Sequence, residues 1–167
     1  MKRGSIEISF GMIFSIIIII TLIGVVVYAI TAFLDFGGSA QIGLFYEEFQ
    51  KSVNEIWSSA TTNRVIDFSV SNSVKFVCFG SIANNIDAGR YNSQFKALRE
   101  FSSGFQQQNT NLFLYPPNKA KDLAYKKIEK IDTSSLGTFD CFEVIGGKVG
   151  IRLSKEEFES LVRVSHE

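Results

Sequence analysis

The sequence predicts a membrane-anchored α+β protein, with an N-terminal transmembrane helix followed by a helix packed on an antiparallel β-sheet. Three observations lead to this fold class. Residues 8–34 carry no charge and include five consecutive isoleucines at positions 16–20. Residues 40–60 place apolar side chains every three or four positions, as a helix buried on one side requires. Later segments alternate apolar and polar residues with the period of two that a half-buried strand shows.

The charge-free segment 8–34 predicts one membrane crossing. At about 1.5 Å per residue this helix is roughly 40 Å long, which exceeds the ~30 Å hydrocarbon layer. Lys2 and Arg3 precede the segment and Asp35 is the first charge after it. Because positive residues stay on the cytoplasmic side, we expect residues 1–7 to be a cytoplasmic n-region and everything after residue 34 to lie outside.

Removal of the N-terminal segment by an ordinary signal peptidase is the alternative to a retained anchor. A signal peptide also begins with a charged n-region followed by an apolar core. The apolar run is nearly twice as long as such a core, which favours retention.

A short glycine-containing segment, residues 35–39, follows the predicted anchor. Gly37 and Gly38 disfavour a helix, and Ser39 is suited to cap a new one. The sequence therefore predicts a hinge at 35–39 and an extracytoplasmic α+β domain over residues 40–167.

The first half of this domain is predicted from periodicity. A helix over 40–60 has an apolar face, which Trp57 widens. Ile66, Phe68 and Val70 alternate with polar residues and predict a strand, and residues 74–79 predict a second strand in the middle of a sheet. Residues 80–89 are predicted as a loop and 91–101 as a short helix with three inward side chains. The helix face over 40–60 consists of Ile42, Phe45, Phe49, Val53 and Ile56, and the inward residues of the short helix are Phe95, Leu98 and Phe101.

The second half combines clear turn motifs with one ambiguous segment. Residues 104–111 are polar and irregular, and a strand over 112–115 ends at two prolines. Residues 119–131 fit both a helix and a strand. Gly146 and Gly147 predict a hairpin between strands 139–145 and 148–153. Ser154 and Glu157 form a capping-box pattern, with Leu153 and Phe158 as its hydrophobic staple, and predict a last helix to about residue 164.

Composition excludes two broad classes of protein. The 167 residues contain 17 Lys and Arg and 17 Asp and Glu, so the net formal charge is zero. A nucleic-acid-binding protein needs an excess of positive charge, and we therefore expect no nucleic-acid partner. A content of 46% hydrophobic and 13% aromatic residues excludes intrinsic disorder.

Cys78 and Cys141 are the two cysteines of the chain. Each lies in a predicted strand with apolar neighbours, in a domain that the topology places where thiols are commonly oxidised. The sequence predicts a disulfide between them, which would add roughly 3–5 kcal/mol to stability in the loop-entropy model. Two buried free thiols are the alternative, and they are favoured if the orientation is reversed.

The sequence predicts no enzyme, no metal site and no cofactor. His166 is the only histidine and lies beside a C-terminus that is expected to fray. Glu156 and Glu157 are explained more simply as the start of a helix. A basic stretch could contact anionic lipid, but the acidic residues within it favour a solvated surface. Its lysines are Lys119, Lys121, Lys126, Lys127 and Lys130.

The N-terminus resembles that of archaeal type IV pilin-like surface proteins, which carry a class III signal. The resemblance lies in Lys2, Arg3 and Gly4, followed by Ser5 and then a long apolar helix. It covers about the first 35 residues. The resemblance implies that a prepilin peptidase cuts between Gly4 and Ser5, and that the apolar helix remains as an anchor or as the core of a filament.

Three hypotheses for function follow. The first is a single-pass cell-surface protein in the lipid bilayer with a structural or binding role, such as a self-assembling pilin-like subunit. The second is an accessory subunit of a membrane complex. The third, which the sequence favours least, is a membrane-tethered enzyme with a cleft around the loops 80–89 and 104–111.

Overall fold

The computed structural model describes residues 10–83, 87–102 and 110–166, and at 33–36 it describes the backbone alone. The chain forms two compact units, of which the first ends at Gly37 and the second begins at Gly38. The n-region 1–7 lies outside the described residues.

The longest element is helix α1, Phe10–Trp57. Its backbone stays helical through residues 35–39, so the two glycines do not end the helix as the sequence predicted. Within a helix a glycine costs about 1 kcal/mol relative to alanine, and long flanking helical segments overcome such a penalty. The role of this segment as a hinge stays a prediction.

The first unit is an apolar helix whose described side chains, at residues 10–32, are all exposed. It is long and apolar enough to cross a membrane. Its hydroxyl groups bond to carbonyls of the preceding turn, Ser15 to Gly11 at 2.8 Å and Thr21 to Ile17 at 2.8 Å. These bonds satisfy polar groups that hydrocarbon would otherwise leave without partners.

In its described residues the second unit contains the rest of α1, eight strands and two further α-helices. The strands are β1 (Thr62–Ser69), β2 (Phe76–Gly80), β3 (Leu112–Tyr115), β4 (Tyr125–Lys126), β5 (Ile131–Asp132), β6 (Phe139–Glu143), β7 (Lys148–Lys155) and β8 (Val162–Ser165). The helices are α2 (Asn92–Ser102) and α3 (Pro117–Ala120).

The strands form two sheets, where the sequence predicted one. Sheet 1 has the order β1-β7-β8-β5 and sheet 2 the order β4-β3-β2-β6. Neighbouring strands are antiparallel except β5 and β8, which are parallel. The α+β class is thus confirmed, and β2 lies inside its sheet as predicted.

The predicted apolar face of α1 forms the centre of the main core. Ile42, Phe45, Phe49, Val53 and Ile56 are all buried there together with the inner faces of both sheets. The Phe49 ring lies 5.1 Å from the ring of Phe68 in β1 and 5.6 Å from that of Phe79 in β2, measured between centroids. One helical side chain therefore contacts both sheets.

A second core lies on the other face of sheet 2. Phe95 and Leu98 of α2 are buried there, as predicted, among side chains of β2, β3 and β6. Phe101 is 36% exposed, so its predicted inward position is wrong. It lies in the last turn of α2.

The end of α1 is held by two lysines. The Lys155 ammonium donates to the carbonyl oxygens of Trp57 at 2.7 Å and Ser59 at 3.0 Å, where the helix leaves carbonyls unpaired. The Lys130 ammonium lies 3.7 Å from the centroid of the Trp57 ring. These contacts connect the helix end to β7 and to the residue that precedes β5.

The predicted hairpin at Gly146 and Gly147 is a turn between the two sheets. Both glycines have a positive φ, 59° and 76°, as the predicted turn requires. A single bridge joins Ile145 to Lys148, and the strands on either side, β6 and β7, belong to different sheets. Local turn chemistry was predicted correctly, whereas the strand pairing was wrong.

The predicted last helix is also wrong. Residues 153–155 continue β7, and residues 162–165 form strand β8. The amide of Glu156 bonds to the carboxylate of Glu159 at 3.0 Å, and Phe158 is 97% exposed, so neither the capping box nor the staple forms. Val162 and Val164 are buried and alternate with Arg163, and this period of two is that of a strand rather than a helix.

The ambiguous segment 119–131 contains several short elements. It includes the end of α3, a 3₁₀ turn at Lys121–Leu123, strand β4 and the first residue of β5. Neither a single helix nor a single strand describes it.

The core arrangement leads to a stability prediction. We expect Phe49→Ala to lower the free energy of unfolding by about 3–5 kcal/mol, because it removes a buried ring that contacts both sheets. Phe158→Ala, at an exposed position, should change it by less than about 0.5 kcal/mol. Denaturant unfolding of the full chain in detergent measures both. A large loss of stability in Phe158→Ala would indicate that Phe158 packs on Leu153 as the sequence predicted.

Candidate functional site

Cys78 and Cys141 form a disulfide, as the sequence predicted. They are directly opposite each other on β2 and β6, which are neighbouring strands of sheet 2. Both are fully buried on the face that α2 covers, beside Phe95 and Phe139. The bridge closes a loop with a sequence separation of 63 residues. Its position shields it from water-soluble reductants while the domain is folded.

We expect removal of the disulfide to destabilise the domain. The double variant Cys78→Ala/Cys141→Ala should lower the free energy of unfolding by about 2–5 kcal/mol. In the wild-type protein, alkylation of the thiols should require both unfolding and a reductant, because the bridge is covered by α2. Mass spectrometry after alkylation, with and without denaturant, tests this. Modification of folded protein by a mild reductant and alkylating agent would contradict the burial.

An open groove of about 950 Å³ lies between α1 and residues 122–128. We name it the α1 groove. Its floor contains Tyr46, whose hydroxyl donates to the Leu123 carbonyl at 2.6 Å. Gln50 holds the turn before β5 by two hydrogen bonds, one from its side-chain amide nitrogen to the Glu129 carbonyl and one from the Glu129 backbone amide to its side-chain oxygen. The charged side chains along the walls are Glu47, Lys51, Glu55, Asp122 and Lys126.

The α1 groove can form hydrogen bonds with a polar ligand but has no dominant charge. Its wall charges are of both signs, so the groove selects neither an anion nor a cation. Burial raises the pKa of the Tyr46 phenol far above its ordinary value. Burial, and to a smaller extent the Asp122 carboxylate, raises the pKa of Tyr125. Both phenols are therefore neutral at physiological pH.

The raised pKa of Tyr46 predicts a loss of stability at alkaline pH. Above about pH 10 the unfolded chain releases this proton whereas the folded chain retains it, so unfolding becomes more favourable as the pH rises. We expect Tyr46→Phe to have a free energy of unfolding about 1 kcal/mol lower than the wild type at pH 7, because it lacks the bond to Leu123. Between about pH 9 and 11 its free energy of unfolding should fall less than that of the wild type, because the titrating phenol is gone.

Denaturant unfolding as a function of pH is the measurement. Gln50→Ala is the matched control, because it alters the same groove without removing a titrating group. If the stability of Tyr46→Phe fell at alkaline pH by as much as that of the wild type, the prediction would be contradicted.

His166 has a defined position, contrary to the expectation of a frayed terminus. Its ring stacks on Phe142 with centroids 4.2 Å apart, and its Nε2 lies 2.8 Å from Oδ2 of Asp140. An imidazole beside a carboxylate is a common arrangement for a base. The contact with Asp140 and the stack on Phe142 tie the end of β8 to β6.

The other candidates from the sequence are not brought together. Gly4 and Ser5 lie outside the described residues. Within the described ranges, no group of three or more His, Cys, Asp or Glu side chains is arranged to hold a metal ion. In the basic stretch, Lys127 pairs with Glu129 at 3.0 Å and the Lys130 ammonium lies on the Trp57 ring, so these two lysines contact the protein itself.

Sequence reasoning missed the α1 groove and the position of His166. The groove needs the 3₁₀ turn at Lys121–Leu123 to approach α1, which no local pattern indicates. The position of His166 depends on the pairing of β8 with β7. The sequence predicted a helix in place of β8, so this pairing was not expected.

No protein-family model, curated protein or solved structure matches this chain. Its function is therefore argued from the residues described above.

Proposed function

We propose that the chain is a single-pass membrane protein with a structural or binding role at the cell surface. In this proposal residues 8–34 cross the bilayer, residues 1–7 are cytoplasmic, and the α+β domain over 40–167 lies outside. The observation that carries it is the apolar part of α1, where every described side chain from residue 10 to 32 is exposed. A helix with apolar side chains on all faces needs lipid or other apolar helices around it.

The disulfide supports the outward orientation. Structural disulfides persist in oxidising compartments outside the cytoplasm and are rare within it. The bridge between Cys78 and Cys141 lies in the same domain that Lys2 and Arg3 would direct outward by the positive-inside rule. Two independent lines, flanking charge and cysteine oxidation, thus support one orientation.

We further propose that the protein is a type IV pilin-like subunit, on the residues from Lys2 to Ser5 that precede the apolar helix. In this form a prepilin peptidase removes residues 1–4 and leaves the apolar helix at the new N-terminus. An accessory subunit of a membrane complex is the alternative, in which the same helix packs against helices of other proteins.

The topology is tested by protease treatment of intact cells. We expect the domain after residue 40 to be digested from outside, with fragments that remain joined through Cys78 and Cys141 until a reductant is added. A cytoplasmic protein in the same cells is the control for lysis. Full protection of the domain in intact cells, with digestion after lysis, would reverse the proposed orientation.

The pilin-like form is tested by mass spectrometry of the native N-terminus. We expect a chain that begins at Ser5, and the variant Gly4→Leu should retain residues 1–4. An intact Met1 in the wild-type protein would reject the pilin-like form while leaving the single-pass topology unaffected.

A further inference from the structure

Strand β1 is the longest free edge among the described strands. It forms one side of sheet 1 and pairs along its eight residues with β7 alone. Four residues along it are exposed on the outer face of the sheet, namely Asn63, Val65, Asp67 and Ser69. Long free edges offer unpaired backbone groups to another strand.

The register identifies which backbone groups are free. The amide of Val70 bonds to the carbonyl of Gly147 at 2.8 Å, in line with the pairing of β1 and β7. Backbone groups of successive residues point to opposite sides of a strand, so the even-numbered residues of β1 bond to β7. The N–H and C=O groups of the four odd-numbered residues point away from the sheet, and the described part of the chain supplies no backbone partner for them.

Two charges near this edge have no ionic partner among the described side chains. Arg152 is opposite Val65 in the register, and Asp67 is opposite Gly150, so both charges lie on the outer face of sheet 1. Within the described residues neither makes a salt bridge, and Nε of Arg152 is buried without a hydrogen-bond partner. Val65 is 45% exposed, which leaves space above it for a long side chain.

We propose that β1 pairs antiparallel with β1 of a second copy of this chain, with Ile66 opposite Ile66. In this register Val65 lies opposite Asp67 of the second copy, and Asn63 lies opposite Ser69. All four free residues of each strand then exchange backbone hydrogen bonds, and the cores of both copies stay on the same side of one eight-stranded sheet.

The charges favour a second copy over an unrelated peptide. Arg152 lies two strand spacings, about 10 Å, from Asp67 of the second copy, and the intervening residue is the small Val65. An extended arginine spans this distance, so each copy supplies one cation and one carboxylate to two symmetric ion pairs.

Charge reversal tests the ion pairs. The full chain in detergent micelles should form a dimer in light scattering after size exclusion. Asp67→Arg or Arg152→Asp alone should raise the dissociation constant on the order of tenfold, because each places like charges together. The double variant Asp67→Arg/Arg152→Asp should restore the dissociation constant of the wild type, because each pair again joins opposite charges. Lys75→Glu, an exposed reversal away from the edge, is the control.

Cysteine substitution tests the register. Ile66→Cys should form an intermolecular disulfide under mild oxidation, because the two residues are directly opposite, and the native cysteines are already bridged. Val65→Cys is the matched control, since its counterpart is displaced along the strand by about 7 Å. Cross-linking of Ile66→Cys alone supports the proposal.

Three results would overturn the pairing: a monomeric wild-type chain, equal cross-linking of the two cysteine variants, or single reversals that leave the dimer unchanged. Membrane fractionation of the same samples distinguishes a failure of the pairing from a failure of the proposed function. A water-soluble chain that cross-links at residue 66 would reject the membrane anchor alone, whereas a membrane-bound chain without the cross-link would reject the pairing alone.

Discussion

The packing of both sheets on one face of α1 is the constraint on which the second unit depends. Phe45 and Phe49 have no exposed surface, and Phe49 contacts an aromatic ring from each sheet. Each sheet buries its inner apolar face against this helix, so neither sheet has a complete core without it. The lysine contacts at Trp57 fix the end of the same helix against sheet 1. Because α1 also supplies the apolar segment before Gly37, the element that organises the domain is continuous in sequence with the proposed anchor.

Sheet 2 has an additional source of stability on its other face. There α2 covers the bridge between Cys78 and Cys141, and the surrounding rings exclude water. No described element covers the outer face of sheet 1 in the same way, where Arg152 and Asp67 are found. The two sheets thus differ in exposure as well as in strand order: sheet 2 is covered on both faces, and sheet 1 presents a polar face and a long free edge. This asymmetry is the reason that the second copy is proposed at β1.

Sequence reasoning succeeded where one local period governs the structure. The apolar face from Ile42 to Ile56, the strand at Phe68 and the turn at Gly146 follow from spacing alone. It failed where distant pairing overrides a local pattern. Ser154 and Glu157 have the spacing of a helix start, but eight residues of pairing with β1 extend β7 through Lys155. The disulfide could be predicted because two cysteines allow one pairing, whereas the α1 groove depends on a long-range approach that no local spacing encodes.

The cross-link between adjacent strands has a mechanical consequence for a protein held at one end. If the C-terminus were pulled away from residue 38, the chain outside the bridge could unravel, but the 63-residue span between Cys78 and Cys141 could not lengthen. At about 3.4 Å per extended residue, the bridge withholds roughly 200 Å of contour length from the stretched polypeptide. Strands β3 to β5 and helix α2 all belong to this protected span. If the protein is held at a cell surface as proposed, shear there would stretch only the parts of the domain outside this span, and the tension would be carried by the sulfur–sulfur bond.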